Sequence, residues 1–167
     1  MIKWHQGEYS YWTPDNIKRV NSSGLESSLS LNYSARKLIA GLTANYSYTR
    51  ATTTASDVPN DAAIGKQLIY VPENQANCSF RMNYSFLYTS WIVTMTGKRY
   101  LTAENSDYLQ GYMLNDLITG FRLKIKGNTL DLNFQIDNIF NVSYQTIAYY
   151  PLPGRSYSLK LLIQILK

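Results

Sequence analysis

Hydrophobic and polar residues alternate along most of the chain with a period of two, which is the pattern of β-strands that have one apolar and one polar face. The alternation is most regular over residues 76–86, where Ala76, Cys78 and Phe80 share one face and Asn77 and Ser79 share the other. From this pattern we predict eight strands: a partial one at 1–6 and longer ones at 25–35, 38–49, 76–86, 91–100, 113–126, 129–137 and 157–165.

The segments between the predicted strands alternate between short and long. Short connections are predicted at 35–37, 87–90 and 126–128, and long ones at 7–23, 51–75, 100–111 and 140–155. Antiparallel strands joined in this way run up and down, so that all short turns lie at one end of the sheet. Short turns at one end, long loops at the other and strands of about ten residues are typical of outer-membrane β-barrels.

Alternation alone does not identify the face that contacts water. A soluble β-sandwich or lipocalin-like barrel buries its apolar face, whereas an outer-membrane barrel presents that face to lipid. Charged residues are 16% of the chain, against roughly 25% in ordinary globular proteins, and the polar faces carry mainly Ser, Thr, Asn and Gln. This composition favours the lipid-facing interpretation. No run of about 18 apolar residues occurs, so a membrane-spanning structure would have to be built from strands.

Aromatic residues, including 15 tyrosines, make up 14% of the chain and gather near the ends of the predicted strands. The residues in question are Tyr46, Tyr48, Tyr84, Phe86, Tyr88, Trp91, Tyr100 and Tyr112. Tyr and Trp have an apolar body and a polar tip, and therefore occupy the two interfaces of a membrane. We predict that these rings form interfacial girdles; the alternative is that they pack in an ordinary β core.

Other functional classes find little support in the sequence. The net charge of +5 comes from scattered Lys and Arg residues that form no stripe, so no nucleic-acid partner is expected. Cys78 and His5 are the single cysteine and histidine, so neither an internal disulfide nor a metal site is expected, and we predict no cofactor. Residues 1–6 lack the apolar core of a secretion signal.

No nucleophile–base set is visible, and the chain is not expected to be an enzyme. Asp131 and Asp137 lie on one predicted strand, about 20 Å apart at about 3.3 Å per residue, which is too far for acid–base catalysis. We predict instead that Asp116, Arg122, Lys124 and Asp131 form a charged network inside a barrel, near its periplasmic end.

The last part of the chain carries a more specific signal. Residues 137–157 resemble the end of TonB-dependent outer-membrane receptors, in which an Asn-Leu/Ile-Phe-Asp/Asn motif closes the penultimate strand, a Tyr follows, and Pro-Gly-Arg precedes the last strand. The matching residues here are Asn138, Ile139, Phe140, Asn141, Tyr144, Pro153, Gly154, Arg155 and Tyr157. Weaker similarities lie at 12–16, 21–26, 65–74 and 108–112.

The resemblance implies that residues 1–167 are the C-terminal part of an antiparallel, up-and-down transmembrane β-barrel of about 22 strands. It implies part of an active transporter in the outer membrane of a Gram-negative bacterium, taking up a scarce ligand such as siderophore-bound iron, cobalamin or haem with energy from TonB. Cobalamin and siderophore receptors are the relatives it suggests. Implied partners are outer-membrane lipid, the barrel-assembly machinery, the plug and N-terminal strands of the receptor, and TonB through the N-terminal part. The ending at 165–167 departs from the aromatic residue that usually closes the family's sequences.

Residues in the long outer loops are the candidate ligand contacts. They are Tyr100, Tyr108, Tyr144, Tyr149, Tyr150 and Arg155. A competing interpretation is that these tyrosines pack against one another. Two alternatives for the whole chain stay open: a self-contained outer-membrane barrel of eight strands with a binding or structural role, and a soluble lipid-binding barrel.

Overall fold

Seven long antiparallel strands form one sheet in the computed structural model, which describes the backbone of residues 2–6 and 12–16 and the whole of residues 18–165. The strands are β1 (Ile2–Gln6), β2 (Trp12–Asn16), β3 (Lys18–Ala35), β4 (Leu38–Ser56), β5 (Asn74–Tyr84), β6 (Leu87–Thr96), β7 (Arg99–Tyr100), β8 (Tyr108–Leu109), β9 (Tyr112–Ile125), β10 (Asn128–Asp137), β11 (Gln145–Ile147), β12 (Tyr150–Pro151) and β13 (Ser156–Gln164). Among the described residues, no helix is long and apolar enough to cross a membrane.

The sheet has the up-and-down order β3-β4-β5-β6-β9-β10-β13, as predicted. The three remaining pairs are separate small hairpins: β1 with β2, β7 with β8, and β11 with β12. β3 and β13 are the two outer edges of the large sheet, and the sheet does not close on itself. The predicted strand at 1–6 is therefore confirmed as a strand, but it pairs with β2 rather than with the seven-stranded sheet.

Tight two-residue turns lie at 36–37, 85–86 and 126–127, all at the same end of the sheet. Lys126 and Gly127 both have positive φ (49° and 86°), as the type I′ turns that match strand twist require. The predicted turn at 87–90 is wrong, because Tyr84 pairs with Leu87 and the chain reverses at 85–86. Across a two-residue turn, the apolar positions change from even to odd residue numbers. Residues 87–90 therefore follow the alternation of the next strand and belong to it.

Two predicted loops are shorter than the sequence indicated. β3 begins at Lys18 and β4 ends at Ser56, so most of 7–23 and the start of 51–75 are strand. The paired ends of these strands, such as Asn21 with Thr52, are polar on both faces, and alternation of hydrophobicity cannot reveal them. The predicted loops at 100–111 and 140–155 contain the hairpins β7–β8 and β11–β12.

The strand register collects the apolar residues on one face of the sheet. Leu42 pairs with Phe80, Phe80 with Trp91, Trp91 with Leu117, and Leu117 with Ile136, crossing five strands without a charged residue. This apolar face is open: Phe80 is 41% exposed and Trp91 47%. Within residues 18–165 the buried hydrophobic residues are Ala51 and Ala63. The apolar face therefore packs against no second layer of the described chain.

The opposite, polar face carries a hydrogen-bonded cluster that spans three strands. The Tyr88 hydroxyl donates to Asp131 (2.6 Å), across β9, and Asn133 donates to the same hydroxyl (3.2 Å). Arg122 donates from Nε to Asp131 (2.7 Å), and its guanidinium forms an ion pair with that carboxylate. The ring of Tyr88 can cross β9 because Gly120, its partner in the register, has no side chain.

The predicted charged network is confirmed for Arg122 and Asp131 only. Asp116 lies toward the opposite end of β9, where it accepts a hydrogen bond from the backbone N–H of Asn138 (2.7 Å). Lys124 forms no ion pair within the described part of the chain. Alternation placed all four residues on one face correctly, but it could not order them along the strands.

The aromatic residues divide between the two faces. Tyr46 and Tyr48 lie on the apolar face toward the long loops, and Tyr84 lies on that face at the turn end, as girdle residues would. Tyr88 and Tyr112 lie on the polar face instead, so the girdle prediction is wrong for them. Tyr88 lies on the polar face because the apolar positions change from even to odd residue numbers at the 85–86 turn. Both tyrosines also have partners on that face, described above for Tyr88 and below for Tyr112.

We expect Gly120→Ala to destabilise the sheet. A Cβ at this position would lie 2.6 Å from the ring and hydroxyl of Tyr88 and would clash with the backbone oxygen of Leu132. Overpacking of this kind costs about 1–3 kcal/mol in the free energy of unfolding, measured by denaturant titration in detergent or lipid. Gly41→Ala is the matched control, because its nearest neighbour is the flexible Asn32 side chain at 3.3 Å. Equal stability of the two variants would contradict this account.

Candidate functional site at the loop end

The three long connections between sheet strands all lie at the end opposite the tight turns. We call them loop A (57–73), loop B (97–111, with β7 and β8) and loop C (138–155, with β11 and β12). Loops of this kind, mounted on a regular scaffold, are where binding residues concentrate. The contacts among these loops decide which of the predicted ligand contacts lie together.

Loop A is joined to loop B by a reciprocal pair of hydrogen bonds. The backbone N–H of Gln67 donates to Asn105 Oδ1 (3.0 Å), and Asn105 Nδ2 donates to the Gln67 carbonyl (2.9 Å). Asn105 has a φ of 63°, a conformation that Asn tolerates better than most residues. A further bond runs from the Tyr70 N–H to the Tyr100 carbonyl (2.9 Å). The two loops therefore form one connected unit.

The Gln67 side chain attaches this unit to β4. Its Oε1 accepts from the Ala51 N–H (2.9 Å), and its Nε2 lies within hydrogen-bond distance of the carbonyls of Thr49 (3.2 Å) and Val71 (3.3 Å). Gln67 is buried, and its amide is fully used by backbone groups. It therefore serves structure and offers no group to a ligand.

Arg99 joins loop B to loop C. It is buried, and its two terminal nitrogens donate to the backbone carbonyls of Thr146 (3.0 Å) and Gln145 (2.5 Å). Its guanidinium also lies 5.4 Å from the centre of the Tyr112 ring, and Tyr112 packs against Tyr144 with ring centres 4.7 Å apart. Burial, with the nearby Tyr112 and Asp116, raises the pKa of Tyr144 above its ordinary value. Loop C is thus held in place by a cation and two rings.

A second aromatic group lies within loop B. The rings of Tyr100 and Tyr108 meet edge to face, with centres 6.5 Å apart. The Lys98 ammonium lies 5.0 Å from the first ring centre and 5.6 Å from the second. A hydrogen bond to Tyr100, and the charge of that residue, raise the pKa of Lys98. The group combines a fixed cation with two phenols at the exposed side of the loop.

The Asn-Ile-Phe-Asn motif at residues 138–141 forms a turn that is closed by hydrogen bonds. Asn138 and Asn141 both have positive φ (52° and 53°). The Asn138 side chain accepts from the Val142 N–H and donates to the Val142 carbonyl, both at 2.9 Å, and closes the turn. The Asn141 carboxamide accepts from the Arg155 N–H (2.9 Å), which holds the two ends of loop C together.

The remaining motif residues follow from this turn. A Cβ on Gly154 would lie 2.5 Å from the Asn141 oxygen, so a side chain at that position would disturb the contact. The Arg155 guanidinium donates to the Ile139 carbonyl (3.2 Å) and lies 5.9 Å from the Tyr157 ring centre. Phe140 is mostly exposed. The motif therefore joins β10 to β13, and its Asn residues are structural.

The six predicted ligand contacts fall into separate groups. Tyr100 and Tyr108 pack together, as the competing interpretation held, and Tyr144 packs against Tyr112. Tyr149 and Tyr150 stand at the tip of the β11–β12 hairpin, 89% and 69% exposed, and no ring contact in the described chain engages either of them. Arg155 lies at the base of loop C, as described above.

Sequence reasoning missed Lys98, Arg99, Gln67 and Asn105. The bonds between Gln67 and Asn105 and those of Arg99 join segments more than 35 residues apart in the chain, and no local pattern predicts such contacts. Lys98 contacts two rings of its own loop, Tyr100 and Tyr108. A cavity of about 310 Å³ lies between loops B and C, lined by residues 108–112 and 143–145. The described residues contain no cluster of His, Cys, Asp or Glu that could hold a metal ion.

Comparison with known proteins now identifies the class that this architecture represents. The chain belongs to the TonB-dependent receptor-like β-barrel family, whose model matches residues 5–139. This is a family of receptors rather than enzymes, in agreement with the expectation from the sequence. A search of curated protein sequences returned no match.

Two solved structures share the fold. BauA, the ferric preacinetobactin receptor from Acinetobacter baumannii, matches with a TM-score of 0.78 and 18% identity over 98% of this chain. FyuA, the ferric yersiniabactin uptake receptor from Yersinia pestis, matches with a TM-score of 0.67 and 17% identity over 89% of this chain. The chain spans only 26% of the first protein and 23% of the second.

We expect Arg99→Met to loosen loop C. The substitution removes two hydrogen bonds from a buried charge to the backbone of β11, each worth about 1.5–3 kcal/mol. Amide hydrogen exchange over residues 141–152 should accelerate at least about tenfold. Lys98→Met is the matched control, because Lys98 is exposed and its ring contacts are with Tyr100 and Tyr108 of loop B. Unchanged exchange in the Arg99 variant would show that loop C is held by other contacts.

The attachment of loop A should persist to low pH. Asp61 accepts from Lys18 (2.8 Å), from the Ser56 hydroxyl (2.5 Å) and from the Ala63 N–H (2.9 Å). The Lys18 bond, followed by those from Ser56 and Ala63, lowers the Asp61 pKa from 3.8 to about 2. A carboxyl with a lowered pKa stabilises the folded state fully above its ordinary pKa, and the effect disappears as the pH falls through the lowered value.

Hydrogen exchange of loop A should therefore be independent of this group above about pH 4 and should report its loss between about pH 4 and pH 2. Asp61→Asn should remove that step and loosen the loop at neutral pH as well. A wild-type loop that is released at the same pH as an isolated Asp side chain titrates would contradict the assignment.

Proposed function

We propose that these residues form the C-terminal part of the barrel of a TonB-dependent transporter in the outer membrane of a Gram-negative bacterium. In this proposal the barrel admits a scarce ligand, and the energy comes from TonB through parts of the receptor outside this chain. The chain alone transports nothing: it contributes barrel wall, lumen surface and part of the ligand-capturing loops. The exposed, mainly apolar face of the seven-stranded sheet is the observation that carries the proposal.

The apolar face supports a location in lipid. In soluble proteins, a contiguous exposed apolar surface of this extent marks a site that interacts with a membrane or with another protein. Here the face runs from β3 to β13, and the tyrosines at its loop end have the polar tips suited to a membrane interface. Lipid can cover the whole apolar face at once, whereas a soluble barrel would have to enclose that face in its interior.

The open edges support a larger barrel. β3 and β13 each have one side without a partner in the sheet. Unpaired backbone N–H and C=O groups cost several kcal/mol each in lipid, so barrels in membranes close completely. We favour closure by further receptor strands over a self-contained barrel of eight strands, because the solved relatives that share the fold are about four times longer than this chain.

The loop end supports ligand capture. Tyr149 and Tyr150 are the most exposed of the predicted tyrosine contacts, and the loop B–loop C cavity opens beside Tyr108 and Tyr144. Because loops A, B and C are tied together, the hairpin tip and the group of Lys98 with its two rings are held on one connected unit. Ferric siderophores are the ligand class we favour, since BauA and FyuA are both receptors for such complexes.

Uptake by cells tests this proposal. Cells that produce the protein within its full receptor should accumulate radioactive iron from one of a panel of ferric siderophores, with cobalamin and haem as the other probes. Collapse of the inner-membrane proton gradient should abolish the uptake, and Tyr149→Ala with Tyr150→Ala should weaken ligand binding without removing the protein from the outer membrane. Uptake of no probe, or uptake that survives the collapse, would overturn the proposal.

A further inference from the structure

The three tight turns between the sheet strands carry several bases. Their residues are Arg36 and Lys37, Ser85 and Phe86, and Lys126 and Gly127. Arg36, Lys37 and Lys126, which we call the basic turn residues, are all exposed. These turns contain no acid, and none of the three bases forms an ion pair with a residue that the structure describes.

The backbone conformation of the turns does not favour these bases. The first residue of each turn has positive φ: 51° at Arg36, 57° at Ser85 and 49° at Lys126. Gly and Asn adopt this left-handed conformation at the lowest cost and predominate in such turns. Two of the three turns have a long basic side chain there instead. A residue that opposes the local backbone preference in this way indicates a role beyond the turn itself.

The turns lie where the apolar face of the sheet ends. On β4 that face runs from Tyr48, near the long loops, to Leu38, which directly follows the turn at 36–37. About ten residue steps of about 3.3 Å each cover about 33 Å along the strand. Strands of membrane barrels are tilted by about 40°, so this length spans about 25 Å of membrane, which is the height of their apolar band. In a membrane, the basic turn residues would therefore lie at the level of the lipid headgroups.

We propose that Arg36, Lys37 and Lys126 bind the phosphate groups of anionic phospholipids in the membrane leaflet at the turn end. The inference rests on the proposed function, in which the apolar face is embedded in a membrane. A base near a negatively charged membrane surface strengthens the attraction by about fivefold. Three such bases with no acid among them therefore favour an anionic lipid over a zwitterionic one.

Exposed apolar side chains beside the bases support a lipid partner over a soluble one. Phe86, in the second turn, is 49% exposed, and Ile125, directly before Lys126, is 57% exposed. The Ser85 N–H donates to the Lys37 carbonyl (3.1 Å), which holds the second turn beside the first. Apolar and basic side chains placed together match the acyl and phosphate layers of one leaflet. A soluble acidic polymer would engage the bases and leave the apolar side chains in water.

Spin-labelled lipids in vesicles that contain the full receptor test the proposal. Electron paramagnetic resonance distinguishes lipid held at the protein surface from free lipid, and two labelled lipids compared in this way give a relative association constant. In phosphatidylcholine vesicles, labelled phosphatidylglycerol should associate at least about threefold more strongly than labelled phosphatidylcholine. The preference should fall as added salt screens the charges. Equal association of the two lipids at low salt would overturn the proposal.

Replacement of two of the bases by Asn separates lipid binding from turn stability. Asn suits the positive φ of both positions, so Arg36→Asn with Lys126→Asn should fold at least as well as the wild-type protein. Combined with Lys37→Gln, these changes should lower the preference for phosphatidylglycerol at least about twofold. Arg36→Lys with Lys126→Arg keeps both charges and should keep the preference.

A second triple variant with the same change in charge is the control. Lys66→Gln, Arg81→Gln and Lys160→Gln remove exposed bases from loop A and from the polar face, away from the apolar face. The lipid preference should not change in this variant. An equal loss in both triple variants, or no loss in the first, would overturn the proposal. Displacement of the lipid by a soluble acidic peptide at constant ionic strength would overturn it in favour of a soluble partner.

The same vesicles separate this inference from the proposed function. A receptor that inserts into the vesicles, with a lipid preference that the turn variants do not change, leaves the transporter proposal standing and removes the lipid site. A receptor that inserts into no lipid vesicle overturns both.

Discussion

The structure depends on the separation of an apolar and a polar face by a single sheet. Alternation runs through most of each long strand, every tight turn preserves the separation, and the register aligns most of the apolar residues of seven strands on one side. A sheet of this kind has no core of its own within the described residues, so in the proposed membrane location the hydrophobic effect stabilises it through contact of the apolar face with lipid. The backbone hydrogen bonds then become the main internal constraint, because lipid offers them no alternative partner.

Specific side-chain contacts at the two ends of the sheet add to this two-faced arrangement. At the turn end, Gly120 leaves room for Tyr88 to cross a strand and reach Asp131, which fixes the position of a charged pair on the polar face. At the loop end, Gln67 and Arg99 tie three loops into one unit through backbone carbonyls and amides. The exposed side chains of Tyr149 and Tyr150, which make no ring contact with the described part of the chain, are therefore presented from a fixed support.

Most of the sheet follows from the sequence, and most of the loop end does not. Period-two alternation predicted the seven long strands, their order and their faces, because each depends on local pattern. It failed where both faces are polar, as at Asn21 and Thr52, and where a turn shifts parity, as before Tyr88. The tail resemblance correctly indicated the family, although its Asn138 and Asn141 serve the turn. Contacts such as Arg99 with Gln145 join segments that only the folded sheet brings together.

The contact of the apolar face with lipid is the central claim, and a spin label on Cys78 tests it most directly. Cys78 lies on the apolar face and is the single cysteine of the chain, so the wild-type protein needs no substitution. In lipid vesicles, dissolved oxygen should relax the label more than a water-soluble nickel chelate does. Asn77→Cys combined with Cys78→Ser places the label at the same depth on the polar face and should reverse the preference. Equal accessibility at the two positions, or greater access of the chelate to Cys78, would contradict the account.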